Sequence, residues 1–390
     1  MNTDHSKYNF DDIRPLNDDE VRDAIESLVA SEDFRSALRY IMPDLDWEEF
    51  VNVMRQCKTK GQFKTTLAYN AVMQIAKMTT FSLTISGRSR APKDVTPCTF
   101  ISNHRDIVLD AAFLNVLLLE IGRGMTQIAI GDNLLIHPWI DTLVRLNNCF
   151  IVKRDLSVRQ LLEASRQLSA YIHHTIKVSG ESIWIAQREG RAKDSNDHTQ
   201  SSILKMLNMA GDHKDNILKN LMSLNIVPIA ISYEYDPCDY LKAKEFQQKR
   251  DNPDFVKSKR DDLLNMETGM LNNKGRVHFT IGSPINDKLV RLEHKESDKN
   301  ALIAAIAETI DKEIYKHYRF YPCNYVAYDL LHHSVYFRTN YDLRDKMLFE
   351  TYLQKQIDKI DLPNKDEIFL RTKILEMYSN PLQNHMDNIE

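Results

Sequence analysis

Three things are scarce in this chain of 390 residues, and each scarcity excludes a class of protein. Cysteine appears five times, at Cys57, Cys98, Cys149, Cys238 and Cys323, odd in number, scattered and without any Cys-x-x-Cys pair. That usage supports neither a disulfide framework nor a zinc site and suits a reducing cytosol. Apolar runs are short: the longest candidate, Ile107 to Ile121, is interrupted by Asp110, Asn115 and Glu120, below the ~18 residues that read as a membrane span. Charge of one sign is lacking too, since 51 basic residues face 55 acidic ones, a formal net charge of -4. A global electrostatic case for nucleic acid is therefore missing.

The usual enzyme signatures are also missing. Gly122-Arg123-Gly124 has no third glycine at the offset a dinucleotide fingerprint needs and precedes a strand rather than following one. There is no Gly-Lys-Ser/Thr phosphate loop, no His-Glu-x-x-His and no Gly-x-Ser-x-Gly. His104-Arg105-Asp106 looks like the kinase catalytic triplet, yet position 111 is Ala where that loop needs a metal-binding Asn. The adjacent pairs His173-His174 and His332-His333 point to different sides of a helix, so no metal is expected. The start, Met1 to Lys7, has no basic region followed by an apolar stretch, so no signal peptide is read there.

What is present is a 43% hydrophobic, 27% charged globular composition with a change of rhythm along it. Residues 1–79 read as a helical region, with Asn17 or Asp18 as N-cap before Val21, Ile25, Leu28 and Val29 at helical spacing. Residues 80–290 alternate: strands at Phe81 to Ile85, Cys98 to Ser102, Gln127 to Ile130, Cys149 to Val152, Ser182 to Ala186, Asn225 to Ser232 and Val277 to Ile281, with helices between many of them. Residues 291–390 are helical again, with Leu302, Ile303, Ile306, Ile310 and Ile314 on one face. The fold class is thus α/β: a mixed sheet flanked by helices, between helical N- and C-terminal extensions.

Within the alternating region, Asn103 to Asp110 places a histidine at the mouth of a helix and a carboxylate in an apolar run. A carboxylate so placed needs a partner, because an unpaired buried charge costs several kcal/mol. His104 is the nearest candidate, and an imidazole oriented by a carboxylate is a standard general base. Asp106 is the alternative partner, but a first-turn aspartate is well explained as a cap, so Asp110 is preferred.

That block opens a series of five segments in fixed order. Phe100-Ile101-Ser102-Asn103-His104 through Asp110 resembles the first motif of the glycerolipid acyltransferase family, which includes glycerol-3-phosphate and 1-acylglycerol-3-phosphate acyltransferases. Cys149-Phe150-Ile151-Val152-Lys153-Arg154 resembles its second motif. Ile183 to Arg191 is similar to its strand followed by Pro-Glu-Gly-Thr-Arg, and Ile226-Val227-Pro228-Ile229-Ala230 resembles its Val-Pro strand. Phe279 to Ile285 is similar to its closing Gly-x-Pro segment. Two departures stand out: five residues separate His104 from Asp110 where the family has four, and Arg188 occupies the Pro position with Arg191 one place early.

The resemblance implies a fatty acyl transfer from acyl-CoA or acyl carrier protein to a hydroxyl of glycerol-3-phosphate or 1-acylglycerol-3-phosphate. It makes His104 the base and Asp110 its partner, with Lys153, Arg154, Glu189, Gly190 and Arg191 binding substrate. Backbone donors near Arg105 are expected to stabilise the oxyanion. No cofactor beyond the acyl co-substrate is implied, the partners are donor and acceptor, and the location is cytoplasmic with peripheral contact at the inner membrane face. An amino-acid-containing lipid acceptor, or a non-catalytic lipid-binding role on the same fold, are the alternative readings. The cations from Lys242 to Arg260 offer a patch for anionic lipid or an acidic acyl carrier, with a solvated face as the plainer explanation.

Overall fold

The computed structural model describes residues 8–92, 96–213, 216–293 and 298–388, except the side chain of Lys259; the leader reading on Met1 to Lys7 lies outside the described residues. Seven strands form one sheet: β1 Ser82–Ser86, β2 Thr99–Ser102, β3 Gln127–Gly131, β4 Cys149–Val152, β5 Ile183–Ala186, β6 Ile226–Tyr233 and β7 Arg276–Ile281. Each lies within a residue or two of its expected position. The order across the sheet is β1-β7-β6-β2-β5-β3-β4, parallel throughout except for the antiparallel β6–β7 pair. The sheet is therefore mixed, and β2 is its central strand.

Burial on both faces explains why these strands read as apolar runs rather than as alternating ones. On β2, Phe100 packs with Trp184, Val227 and Phe279 on one face, under the helices Tyr69–Thr79 and Leu109–Glu120. Ile101 points the other way, into a core shared with Val158–His174, Ser201–Asn208 and Lys299–Lys316. The expected apolar face of the last helix is there: Ile303, Ile306, Ile310 and Ile314 are all buried. Leu109–Glu120 is enclosed almost all round, which suits a helix apolar on every side. Its Phe113 is fully buried, a contribution of ~1.5–3 kcal/mol.

The helices before β1 make a separate core around Val21, Ile25, Leu28 and Met54. Those after Tyr321 make another around Val326, Phe349, Leu353 and Ile374. The two helices following β6, Asp239–Asp251 and Lys259–Leu271, were not anticipated; Asn252 to Ser258, with Pro253, separates them.

The C-terminal helices grip the sheet domain through Asp239, which is fully buried. Its Oδ1 accepts from the Tyr240 amide (2.6 Å) and Gln356 (2.7 Å), and its Oδ2 from the hydroxyls of Tyr352 (2.7 Å) and Tyr378 (2.8 Å). Burial first, and then the neighbouring Asp236, push its pKa up to about 7 against those hydrogen bonds. The native state thus holds a proton that the unfolded chain releases near pH 4, so the contribution of Asp239 to stability falls as pH rises from about 4 to about 7. His278, which burial and then Arg319 lower to about 4, contributes the opposite slope, so the effect of Asp239 is read as a difference between proteins. Urea titrations of wild type and Asp239→Asn at fixed pH should differ in slope by up to ~1.4 kcal/mol per pH unit in that window, and equal slopes would remove Asp239 as a source.

Candidate active site

The chain leaves β2 under tight control. Asn103, fully buried, donates from Nδ2 to the Ile231 carbonyl (2.9 Å) and accepts the Ile231 amide at Oδ1 (2.8 Å), so its side chain prolongs pairing with β6 while the backbone turns away. The next helix begins at Leu109, and Asp106 caps the turn before it by accepting the amides of Val108 (2.9 Å) and Leu109 (2.8 Å). Gly269 permits this: a Cβ there would stand 2.1 Å from Asp106 Oδ2. Burial, and then the neighbouring Asp110, raise the Asp106 pKa.

Because residues 105–108 are not helical, the extra residue between His104 and Asp110 is absorbed in the turn. Asp110 Oδ2 accepts His104 Nδ1 (2.9 Å), the Arg105 amide (2.6 Å) and the Asp106 amide (3.0 Å), so the loop closes around one carboxylate oxygen. With Nδ1 donating, Nε2 carries the free lone pair of the imidazole. The same bonds correct an expectation from the sequence: the Arg105 and Asp106 amides are committed to Asp110 and are not the oxyanion donors. Asp110 is fully buried, whereas the His104 side chain is 13% exposed. Trp184 packs edge-on against the imidazole at 5.7 Å between centroids and donates from Nε1 to Ser102 Oγ (3.0 Å).

Behind the loop, Arg105 is buried and forms a two-pronged ion pair with Asp197, Nη1 to Oδ1 at 3.0 Å and Nη2 to Oδ2 at 2.6 Å. Tyr318 also donates to Asp197, and Tyr315 to its carbonyl. Burial opposes the guanidinium charge, yet Asp197 holds the Arg105 pKa above its ordinary value. Nearby, burial brings Lys274 down to about 8 despite the opposing pull of Asp106.

The predicted substrate cations fare differently from one another. Arg154 follows β4 and reaches Glu189 Oε1 at 3.5 Å, in space left by Gly131, where a Cβ would meet Arg154 Nε at 2.7 Å. Gly190 follows Glu189 with φ +66°, a backbone that L side chains rarely adopt. Lys153, on the opposite side of the strand end, is ion-paired with Asp12 of the N-terminal segment. Arg191 turns inward, donating from Nη2 to Asn265 (2.7 Å), while its Nη1 is buried without a partner. Burial opposes its charge, but Cys238, Asp236 and Asp106 raise its pKa.

These groups meet at a cavity of about 1770 Å³. His104 and Trp184 line it from the sheet, Phe63, Leu67 and Val72 from the helices before β1, and Met266 from the helix Lys259–Leu271. Arg154, Arg188, Glu189 and Arg191 line it as well. The wall supplied by the N-terminal helices was missed in the sequence, because residues 1–79 carry no chemical motif to tie them to the site.

Four cations of the basic stretch from Lys242 to Arg260 are ion-paired. Lys242 is buried against Asp236, Lys249 pairs with Glu245 (3.0 Å), Arg250 with Asp366 (2.7 Å), and Lys257 with Asp262. The side chain of Lys259 lies outside the described residues. Among the described residues, no group of three or more His, Cys, Asp or Glu side chains is arranged to hold a metal ion, and no helix is long and apolar enough to cross a membrane.

Residues 82–232, from the start of β1 into β6, match the family model described as Acyltransferase. No curated protein matches the chain. Among solved structures, the 1-acyl-sn-glycerophosphate (LPA) acyltransferase PlsC from Thermotoga maritima aligns over 75% of this chain and 94% of its own, at 12% identity and a TM-score of 0.36.

Proposed function

For a chain whose residues 82–232 match the family model described as Acyltransferase, we propose transfer of a fatty acyl group from acyl-CoA or acyl carrier protein to a hydroxyl of glycerol-3-phosphate or 1-acylglycerol-3-phosphate. The observation that carries the reading is His104, held at Nδ1 by buried Asp110 and lining a large, mostly apolar cavity. The cavity exceeds the ~300–1,000 Å³ of ordinary small-molecule sites and so has room for an acyl chain.

The chemistry follows from that arrangement. His104 Nε2 takes the proton of the acceptor hydroxyl as its oxygen attacks the thioester carbonyl. The tetrahedral intermediate collapses, the C–S bond breaks, and the imidazolium returns the proton to the leaving thiolate. No acyl-enzyme forms. The Asp110 carboxylate stabilises the imidazolium and fixes the ring, as in other carboxylate–histidine pairs.

Arg154 and Arg191, both lining the cavity, suit an anionic phosphate better than the zwitterionic head of an amino-acid lipid. Val158, Leu161 and Leu162 are exposed on one face of a helix end, with Leu161 lining the cavity, and form the contact for an amphiphile arriving from a membrane face. The test is an acceptor screen of purified protein with labelled acyl-CoA and acyl carrier protein donors. Transfer is expected to glycerol-3-phosphate or its 1-acyl form. Activity confined to amino-acid lipids, or none on any acceptor, would sink the reading.

A further inference from the structure

Arg188 stands where the resembling family carries proline, and its surroundings give it a task. In the parallel β2–β5 pair Ser102 lies opposite Ala186, and the Gln187 amide donates to the Ser102 carbonyl (2.8 Å), carrying the ladder one step beyond. Side chains alternate along strands roughly 4.8 Å apart. Trp184, Ala186 and Arg188 therefore share a sheet face with Phe100, Ser102 and His104, which the edge-on contact of Trp184 with His104 bears out. Arg188 and His104 line the same cavity.

The Arg188 guanidinium meets no acceptor there. Its Nε is buried without a partner, and no hydrogen bond or ion pair among the described residues engages the side chain. Three residues on, Arg191 presents a second buried nitrogen without a partner, Nη1. Glu189, between them in sequence, is 69% exposed and faces Arg154, whereas the charges of Asp236 and Asp106 act on Arg191. Buried guanidinium N–H groups without acceptors are costly, and the planar fork of arginine fits a tetrahedral oxyanion at two points. A proline would offer neither charge nor donor.

We propose that Arg188 is a specificity-determining residue at the acceptor end of the cavity, forming with Arg191 a two-guanidinium cradle for the phosphate monoester of a glycerophosphate acceptor. The assignment rests on the glycerophosphate reading of the site. A monoester, carrying up to two negative charges, gains from both guanidiniums; a phosphodiester, with one charge and an esterified oxygen, gains from one. Arg188 therefore sets the preference between these two classes of acceptor.

The experiment compares full-length wild-type protein with Arg188→Gln, Arg188→Pro and Arg188→Lys. For glycerol-3-phosphate and its 1-acyl form, Arg188→Gln and Arg188→Pro should raise KM by ~10–100-fold, the loss of one charge-assisted contact. In both, kcat and the donor KM should stay within about threefold, because no contact peculiar to the transition state is removed. Arg188→Lys should recover part of the loss, and lysophosphatidylcholine, a diester, should respond little to any of the changes. Calorimetric titration with glycerol-3-phosphate reads the cradle without catalysis, and Arg188→Gln should weaken binding by the same factor. A fall in kcat alone, a rise in donor KM instead, or equal titrations would overturn the proposal. If wild type binds glycerol-3-phosphate through Arg188 yet transfers no acyl group to it, the cradle stands and the acyl-transfer reading fails. Should the glutamine and proline variants not fold, the lysine variant alone must still show a raised monoester KM.

Discussion

Replacing His104 with alanine is expected to lower acyl transfer by ~10²–10⁴, the range supplied by a positioned general base. The loss should appear in kcat with acceptor KM nearly unchanged, since the phosphate contacts lie on other residues. Folding should survive. The side chain is 13% exposed, and Asp110 Oδ2 keeps its bonds from the Arg105 and Asp106 amides when the imidazole is gone. Asp110→Asn should also slow transfer, and should in addition destabilise, because the carboxylate holds the whole turn from Arg105 to Asp106. The pair of variants separates chemistry from scaffold: urea midpoints matching wild type for His104→Ala and lowered for Asp110→Asn. A His104→Ala enzyme retaining transfer within a few-fold of wild type would remove it as the base.

The sequence was a good guide to the sheet because strands buried on both faces announce themselves as short apolar runs. All seven were placed within a residue or two, as was the helix carrying Ile303 to Ile314. It was a poorer guide to anything resting on contacts distant along the chain. The His104–Asp110 distance depended on where the helix begins, and Asp106 fixes that start through two amide hydrogen bonds that no spacing rule foretells. Lys153 and Arg154 are neighbours in sequence, yet opposite sides of a strand end send one to Asp12 and the other to Glu189. Among the cations from Lys242 to Arg260, the pairing of Arg250 could not be read from the stretch, because its partner Asp366 lies more than a hundred residues further on.

Asp197 is the clearest case of a residue that nothing in its local sequence singles out, and its removal should have the largest effect on stability. Arg105 and Asp197 are 92 positions apart, and both are buried. Asp197→Ala would leave the guanidinium without its counter-charge and strip Tyr318 of its acceptor, so a loss of ~3–5 kcal/mol is expected. An exposed pair such as Arg154–Glu189 should be worth ~0–1 kcal/mol by comparison. The cost should fall on activity as well, because the backbone amide of Arg105 is one of the donors that hold Asp110 in line with His104. The double variant Arg105→Met, Asp197→Leu decides between two explanations of any loss. If the penalty is the uncompensated charge, apolar replacement of both partners should recover most of the stability. If instead the pair positions the loop, stability should return while kcat stays low. Urea denaturation and steady-state kinetics on the single and double variants read the two quantities separately, and a single-variant loss below about 1 kcal/mol would show that the pair does not anchor the turn.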